Sequence, residues 1–77
     1  MTRRLKKQSG HEVIKILVNK FGFTARITKG SHVVLIKFVD KQKIGTVVPL
    51  HKELKIRTLK GILKQAKLAE EEFAQYQ

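Results

Sequence analysis

The stretch "FTARITKGSHVVLIKFVDKQKIGTVVP", Phe23 to Pro49, decides the fold. It holds three runs with strand character, separated by two short turns. In the first, Phe23–Lys29, Phe23, Ala25 and Ile27 alternate with Thr24, Arg26 and Thr28. Gly30-Ser31 is a turn, and His32–Val39 is a second run rich in β-branched and aromatic residues. Asp40-Lys41-Gln42 is the next turn. The third run, Lys43–Val48, is closed by Pro49, which has no N–H to give to a ladder. Parallel neighbours need long crossovers, so connections this short make an antiparallel meander.

Helical periodicity flanks the meander on both sides. Upstream, Ser9-Gly10-His11-Glu12 has capping-box spacing, a hydroxyl for one orphan N–H and a carboxylate reaching back for another. Val13, Ile14, Leu17, Val18 and Phe21 then recur on one face, and Gly22 follows as a left-handed stop. The spacing predicts a helix over Gly10–Phe21. Downstream, a loop from Pro49 to Arg57 leads to Thr58, read as the N-cap of a helix whose apolar face is Leu59, Ile62, Leu63 and Ala66. Gly61 weakens that helix by roughly 1 kcal/mol against alanine unless it allows close packing. Leu68 to Gln77, with the run Glu70-Glu71-Glu72 and then Phe73, is a continuation or a short extra helix. The expected fold is a two-layer α+β domain of order α-β-β-β-α, with both helices on one face of a three-stranded antiparallel sheet. That is the element order of double-stranded-RNA-binding domains.

Residues 9–77 are read as a single domain, preceded by a basic arm, residues 1–8, expected to be mobile. A domain this small buries roughly 60–65% of the surface its unfolded chain exposes, so the core is thin. The absence of cysteine removes disulfides and thiolate metal sites, and three scattered histidines do not make a zinc ligand set, so no metal and no cofactor is expected. No apolar run approaches membrane-spanning length, and Lys6 and Lys7 interrupt any signal-like segment. The reading is a soluble cytoplasmic protein. Charge is the strongest compositional signal. The net charge is +11, and it is uneven: residues 1–60 carry fifteen bases against three acids, while residues 61–77 carry two against three. Such a field attracts polyanions, although a merely solvated basic surface has the same composition.

Four stretches carry a specific likeness: "SGHEVIKIL", the "GF" after it, "KGSH", and "VPLHKELKIRTLKGILKQAKLAEEEF". Through them the chain resembles the HicA-like toxins of toxin–antitoxin systems. The resemblance implies a small endoribonuclease that cleaves messenger RNA, with a double-stranded-RNA-binding-like fold, inhibited by a HicB-type antitoxin. The family's catalytic histidine falls on His32, and its turn glycine and serine on Gly30 and Ser31. Relatives often have proline and glycine at Ile56 and Arg57, a glycine at Lys67 and a capping serine at Ala69, so the break between the last two helical segments is expected to be weaker here. They also often carry polar or basic residues on alternate positions of the second strand, which is apolar here.

The chemistry suits those residues. Cleavage through the RNA's own 2′-hydroxyl needs one proton removed and another delivered, and an imidazole works near neutral pH. Lys29-Gly30-Ser31-His32 brings a cation, an open backbone, a hydroxyl and an acid/base into one turn. By composition alone a histidine at a strand mouth is more often structural or simply exposed. Ser31 is equally a turn former and a phosphate contact. His51 matches the family pattern too, as a loop holder or a second chemical group, and His11 is expected to face solvent. Phosphate contacts are expected from Arg26 and Lys29 near the turn, and from Lys52, Lys55, Arg57 and Lys60 around the start of the second helix, where the helix dipole also favours anions.

Two questions stay open at this level. A two-residue Gly30-Ser31 turn puts His32 on one face with Val34, Ile36, Phe38, Ile27 and Ala25; a three-residue loop puts it beside Thr28, Arg26 and Thr24. Either way both faces of the second strand are apolar and helices cover only one, which leaves the other for an antitoxin or a homodimer. The rival functions are a non-catalytic double-stranded-RNA-binding module and, more weakly, a basic ribosome-associated protein.

Overall fold

The computed structural model describes residues 3–77, apart from the side chain of Ile27. Helix α1 spans Gly10–Phe21, strands β1, β2 and β3 span Thr24–Lys29, His32–Val39 and Gln42–Pro49, and helices α2 and α3 span Ile56–Gln65 and Glu70–Ala74. The sheet is antiparallel in the order β1-β2-β3. The helices cover one face, giving the two-layer α+β arrangement of a double-stranded-RNA-binding domain with one short helix added.

The local signals of α1 are realised in full. The Ser9 Oγ accepts the Glu12 N–H, and the Glu12 carboxylate accepts the Ser9 N–H, both at 3.1 Å. At the other end Gly22 takes φ 74°, and the N–H groups of Gly22 and Phe23 both return to the Leu17 carbonyl. Val13 and Leu17 are fully buried, with Ile14, Ile16 and Phe21 packed around them. Val18 was expected on that face but is exposed: the buried stripe runs through Val13 and Leu17 and takes Ile16 on its flank instead.

Both hairpins have two-residue turns. Lys29 pairs with His32, and Gly30 has φ 60° while Ser31 does not, as a type II′ turn requires. Val39 pairs with Gln42 around Asp40 and Lys41, whose φ angles of 48° and 68° are those of a type I′ turn. Gln42 therefore belongs to β3 rather than to the turn. Along β2, Val33 and Leu35 are buried under the helices with Thr46 and Val48 of β3. His32, Val34, Ile36 and Phe38 consequently lie on the open face. A bulge between Ala25 and Ile27 changes the register of β1. It places Ala25 opposite Leu35, not on the face of His32 where a regular ladder would have put it.

The core joins Val13, Leu17, Phe23, Val33, Leu35, Val48, Leu54, Leu59, Ile62, Leu63 and Phe73. The buried Thr46 hydroxyl donates to the Ile62 carbonyl at 3.0 Å, with Gln65 Oε1 as a second acceptor at 3.1 Å, and so ties β3 to the end of α2. Helix α2 begins earlier than expected. Its N-cap is Lys55, which makes no side-chain capping bond, and Thr58 lies inside the first turn. Leu54 sets the start: it is fully buried and its N–H is held by the Gln8 carbonyl at 2.7 Å, so the chain turns into the helix directly after it. Gly61 is exposed, and a β-carbon there would meet open space, so close packing is not its reason. The break between α2 and α3 persists with Lys67 in the left-handed region at φ 57°, and the Leu68 N–H reaches back to the Leu63 carbonyl at 3.0 Å. Phe73 of α3 stacks on Phe21 with ring centroids 6.1 Å apart.

The N-terminal segment is tied down from Leu5 onward. Leu5 packs on the core, Gln77 receives the Lys6 N–H and returns a bond to the Lys6 carbonyl, both at 2.8 Å, and its amide also reaches Gln8. Met1 and Thr2, the first residues of the expected arm, lie outside the described residues.

Candidate functional site

Three segments converge at the end of the sheet where β2 begins. His32 opens β2 and is exposed, so it is not a packed core histidine. Its ladder neighbours are Lys29 on β1 and Pro49 on β3. The Leu50 N–H donates to the Ser31 carbonyl at 2.6 Å, which carries strand pairing one residue beyond β3 and pins the turn. One residue further, the His51 carbonyl accepts the Gly10 N–H at 2.9 Å. The start of α1, the loop after β3 and the Gly30-Ser31 turn are thus linked in series by main-chain hydrogen bonds.

Gly10 is required by this arrangement. It is buried, and a β-carbon on it would stand 2.0 Å from the Pro49 carbonyl oxygen. From the sequence alone Gly10 reads only as the spacer inside a capping box. A glycine in the first turn of a helix, where it costs helix stability, was the available signal for a close backbone approach.

The expected basic residues divide into groups. All of Arg26, Lys29, Lys52, Lys55, Arg57 and Lys60 are exposed. Lys29 stands opposite His32, and Lys52 follows His51 directly. Lys55 holds the N-cap position of α2, with Arg57 and Lys60 in its first two turns and no acid in the first. Arg26 is set apart. It sits in the bulge of β1 and lines a shallow groove with Thr24, Ile36 and Phe38, farther along the sheet from the turn. A larger groove between the N-terminal segment and α2–α3 is lined by Arg3, Arg4, Leu5, Lys60, Glu70 and Glu71; of the expected site residues it includes Lys60 alone. Among the described residues, no group of three His, Cys, Asp or Glu side chains could hold a metal ion. No helix among them is long and apolar enough to cross a membrane.

The open sheet face continues from His32 across Val34, Ile36 and Phe38 of β2 and Val47 of β3. Phe38 is 63% exposed and Val47 40%. Turns at Gly30-Ser31 and Asp40-Lys41 bound this patch, and Lys29 and Lys43 stand beside its two ends.

Residues 10–68 fit the family model described as the HicA toxin of bacterial toxin–antitoxin systems. The matched span runs from the start of α1 through the whole sheet and α2. No curated protein and no solved structure matches the chain.

Proposed function

Because the chain belongs to the HicA toxin family, the toxin side of bacterial toxin–antitoxin systems, we propose that it is a metal-independent endoribonuclease that cleaves messenger RNA in the cytoplasm with His32 as acid/base. The observation that carries the reading is the exposed His32 at the mouth of β2, inside the family match and beside the exposed Gly30-Ser31 turn. In the reaction the 2′-hydroxyl loses its proton and attacks the adjacent phosphorus, and the 5′-oxygen leaves with a proton. Negative charge accumulates on the phosphate oxygens meanwhile. Lys29, opposite His32 in the ladder, and the backbone N–H groups of the turn would stabilise it. Lys52, Lys55, Arg57 and Lys60 continue the basic track along which the rest of the strand runs.

The antitoxin of such a system is proposed to be of HicB type and to cover the apolar sheet face of Val34, Ile36, Phe38 and Val47. A homodimer through the same face is the rival, and light scattering of the isolated toxin separates the two. One observation favours a second function: the element order and the basic start of α2 also suit a non-catalytic double-stranded-RNA-binding module. The deciding experiment is an RNA cleavage assay in excess EDTA. The wild-type chain is expected to cut RNA and leave cyclic or terminal phosphate on the 3′ side. His32→Ala is expected to lose about 10²-fold or more in rate, with unchanged thermal midpoint and RNA affinity. Equal binding without cleavage by the wild-type chain would favour the binding module.

A further inference from the structure

We propose that His51 is the second proton-transfer group of the site, acting with His32 on opposite sides of the scissile phosphate. The proposal rests on the reading of His32 as catalytic. It starts from the stoichiometry of the reaction. One proton leaves the 2′-hydroxyl as the 2′-O–P bond forms, and one is delivered to the 5′-oxygen as the P–O5′ bond breaks. The two oxygens sit on opposite sides of phosphorus, so a pair of groups serves both at once, one imidazole neutral and the other protonated. The products are a 2′,3′-cyclic phosphate and a 5′-hydroxyl, and solvent exchange restores the two rings.

The register supplies the pair. His32 lies directly opposite Pro49 in the ladder. The bond from the Leu50 N–H to the Ser31 carbonyl extends that ladder by one residue, and Leu50 packs against the core on the helix side. Alternation along extended chain then returns His51 to the side of His32. Two residues past the direct partner, it is the diagonal neighbour, at about 7–8 Å between backbones, a separation that ring side chains bridge. Both histidines are exposed.

The loop holding His51 is anchored by its main chain. Its carbonyl accepts from Gly10, and the neighbouring Leu50 N–H donates to Ser31. A change of the His51 side chain leaves both anchors in place. Other groups at this end fit the role less well. Lys29 and Lys52 are cations suited to charge stabilisation, Ser31 is too weak an acid, and Glu12 is already engaged with Ser9. His11 belongs to the helix layer, one residue beyond Gly10.

The test is the pH dependence of kcat/KM on an RNA transcript that the wild-type protein cuts, for wild type, His32→Ala, His51→Ala and His51→Asn. The groups around the pair, Lys29 on β1, Lys52 and Glu53 on the loop, and His11 and Glu12 on α1, stay intact in every variant. Wild type is expected to give a bell-shaped profile, and each alanine variant to lose about 10²-fold or more together with one limb of the bell. His51→Asn, which keeps a polar side chain but cannot transfer a proton near neutral pH, should be as impaired as His51→Ala. A bridging 5′-phosphorothiolate at the same cut site, whose leaving thiolate needs no proton, should restore one of the two histidine variants and not the other. Near wild-type cleavage by His51→Ala, recovery in His51→Asn, or rescue of neither variant would overturn the proposal. A strict dependence on His32 with indifference to His51 would sink this proposal alone, whereas wild-type protein that cuts no RNA would sink the nuclease reading beneath it.

Discussion

Gly10 donates its backbone N–H to the His51 carbonyl at 2.9 Å, and a β-carbon on Gly10 would stand 2.0 Å from the carbonyl oxygen of Pro49. The obstructing atom belongs to the main chain of a strand end, which cannot swing aside as a side-chain tip would. Gly10→Ala is therefore expected to destabilise the fold by about 2–3 kcal/mol. For a domain of this size that lowers the thermal midpoint by roughly 10 °C or more. Calorimetry checks it, and a midpoint within a degree or two of wild type would show that α1 shifts freely.

RNA binding should be electrostatic. With His32→Ala to prevent turnover, log affinity is expected to fall linearly with log salt. Each alanine substitution among Lys29, Lys52, Lys55, Arg57 and Lys60 should reduce the slope by about 0.7 if that residue contacts a single-stranded phosphate. Arg26→Ala, in the bulge away from the turn, should change it least. Fluorescence anisotropy at several ionic strengths measures this, and a salt-independent affinity would rule out the basic track.

The capping box gives a pH dependence of known sign. The backbone N–H and hydroxyl of Ser9, with Lys15 nearby, hold the Glu12 carboxyl below the usual carboxylate range. A depressed folded-state pKa means stability that is present above the unfolded pKa and lost as pH falls through the folded one. Wild type should thus be more stable than Glu12→Gln near neutral pH, and the gap should close as acid protonates Glu12. Thermal melts of both proteins from neutral pH down through the carboxylate range test it; a gap that does not change with pH would contradict the linkage.

Helix α2 can be improved at two exposed positions. Gly61 lies inside the helix with open space where a β-carbon would go, so Gly61→Ala should gain about 1 kcal/mol. Lys67 holds φ 57° just past the helix end, a conformation that disfavours side chains. Lys67→Gly should gain about 0.5–1 kcal/mol. Urea titration is the measurement, and a loss of stability in either variant would mean that its side chain or backbone matters in a way the packing does not account for.

The open sheet face should be an interface. Phe38→Ser and Val47→Ser remove exposed apolar surface and are expected to leave the thermal midpoint within a few degrees of wild type. Affinity for the cognate antitoxin should fall by about tenfold or more, equivalent to about 1.4 kcal/mol. Titration calorimetry decides it. Unchanged affinity in both variants would move the antitoxin to another surface.

Much of this protein was legible along the chain because the signals are local. The Ser9–Glu12 box and Gly22 fixed the ends of α1, since capping groups act within a turn of the backbone they satisfy. The period-2 pattern and the turn residues located the three strands to within a residue, whereas the choice between a two-residue and a three-residue loop at Gly30-Ser31 was made only by the pairing of Lys29 with His32. The position of His32 at a strand mouth and the two-sided apolar character of β2 were equally readable. Other features came from packing between segments far apart in sequence. The bulge at Arg26 reassigns Ala25 to a different partner with no glycine or proline to announce it. Burial of Leu54 and its bond to Gln8 start α2 at Ile56, ahead of the better capping residue Thr58. The clasp of Gln77 on Lys6 joins the two ends of the chain. Above all, the links from Gly10 to His51 and from Leu50 to Ser31 are main-chain bonds. They require only an N–H and a carbonyl, which every residue but proline carries, so no side-chain pattern can announce them. The Gly10 bond forms only when the helix layer closes on the sheet, and the Leu50 bond only when β3 has paired with β2 and carries the pairing on to the Gly30-Ser31 turn.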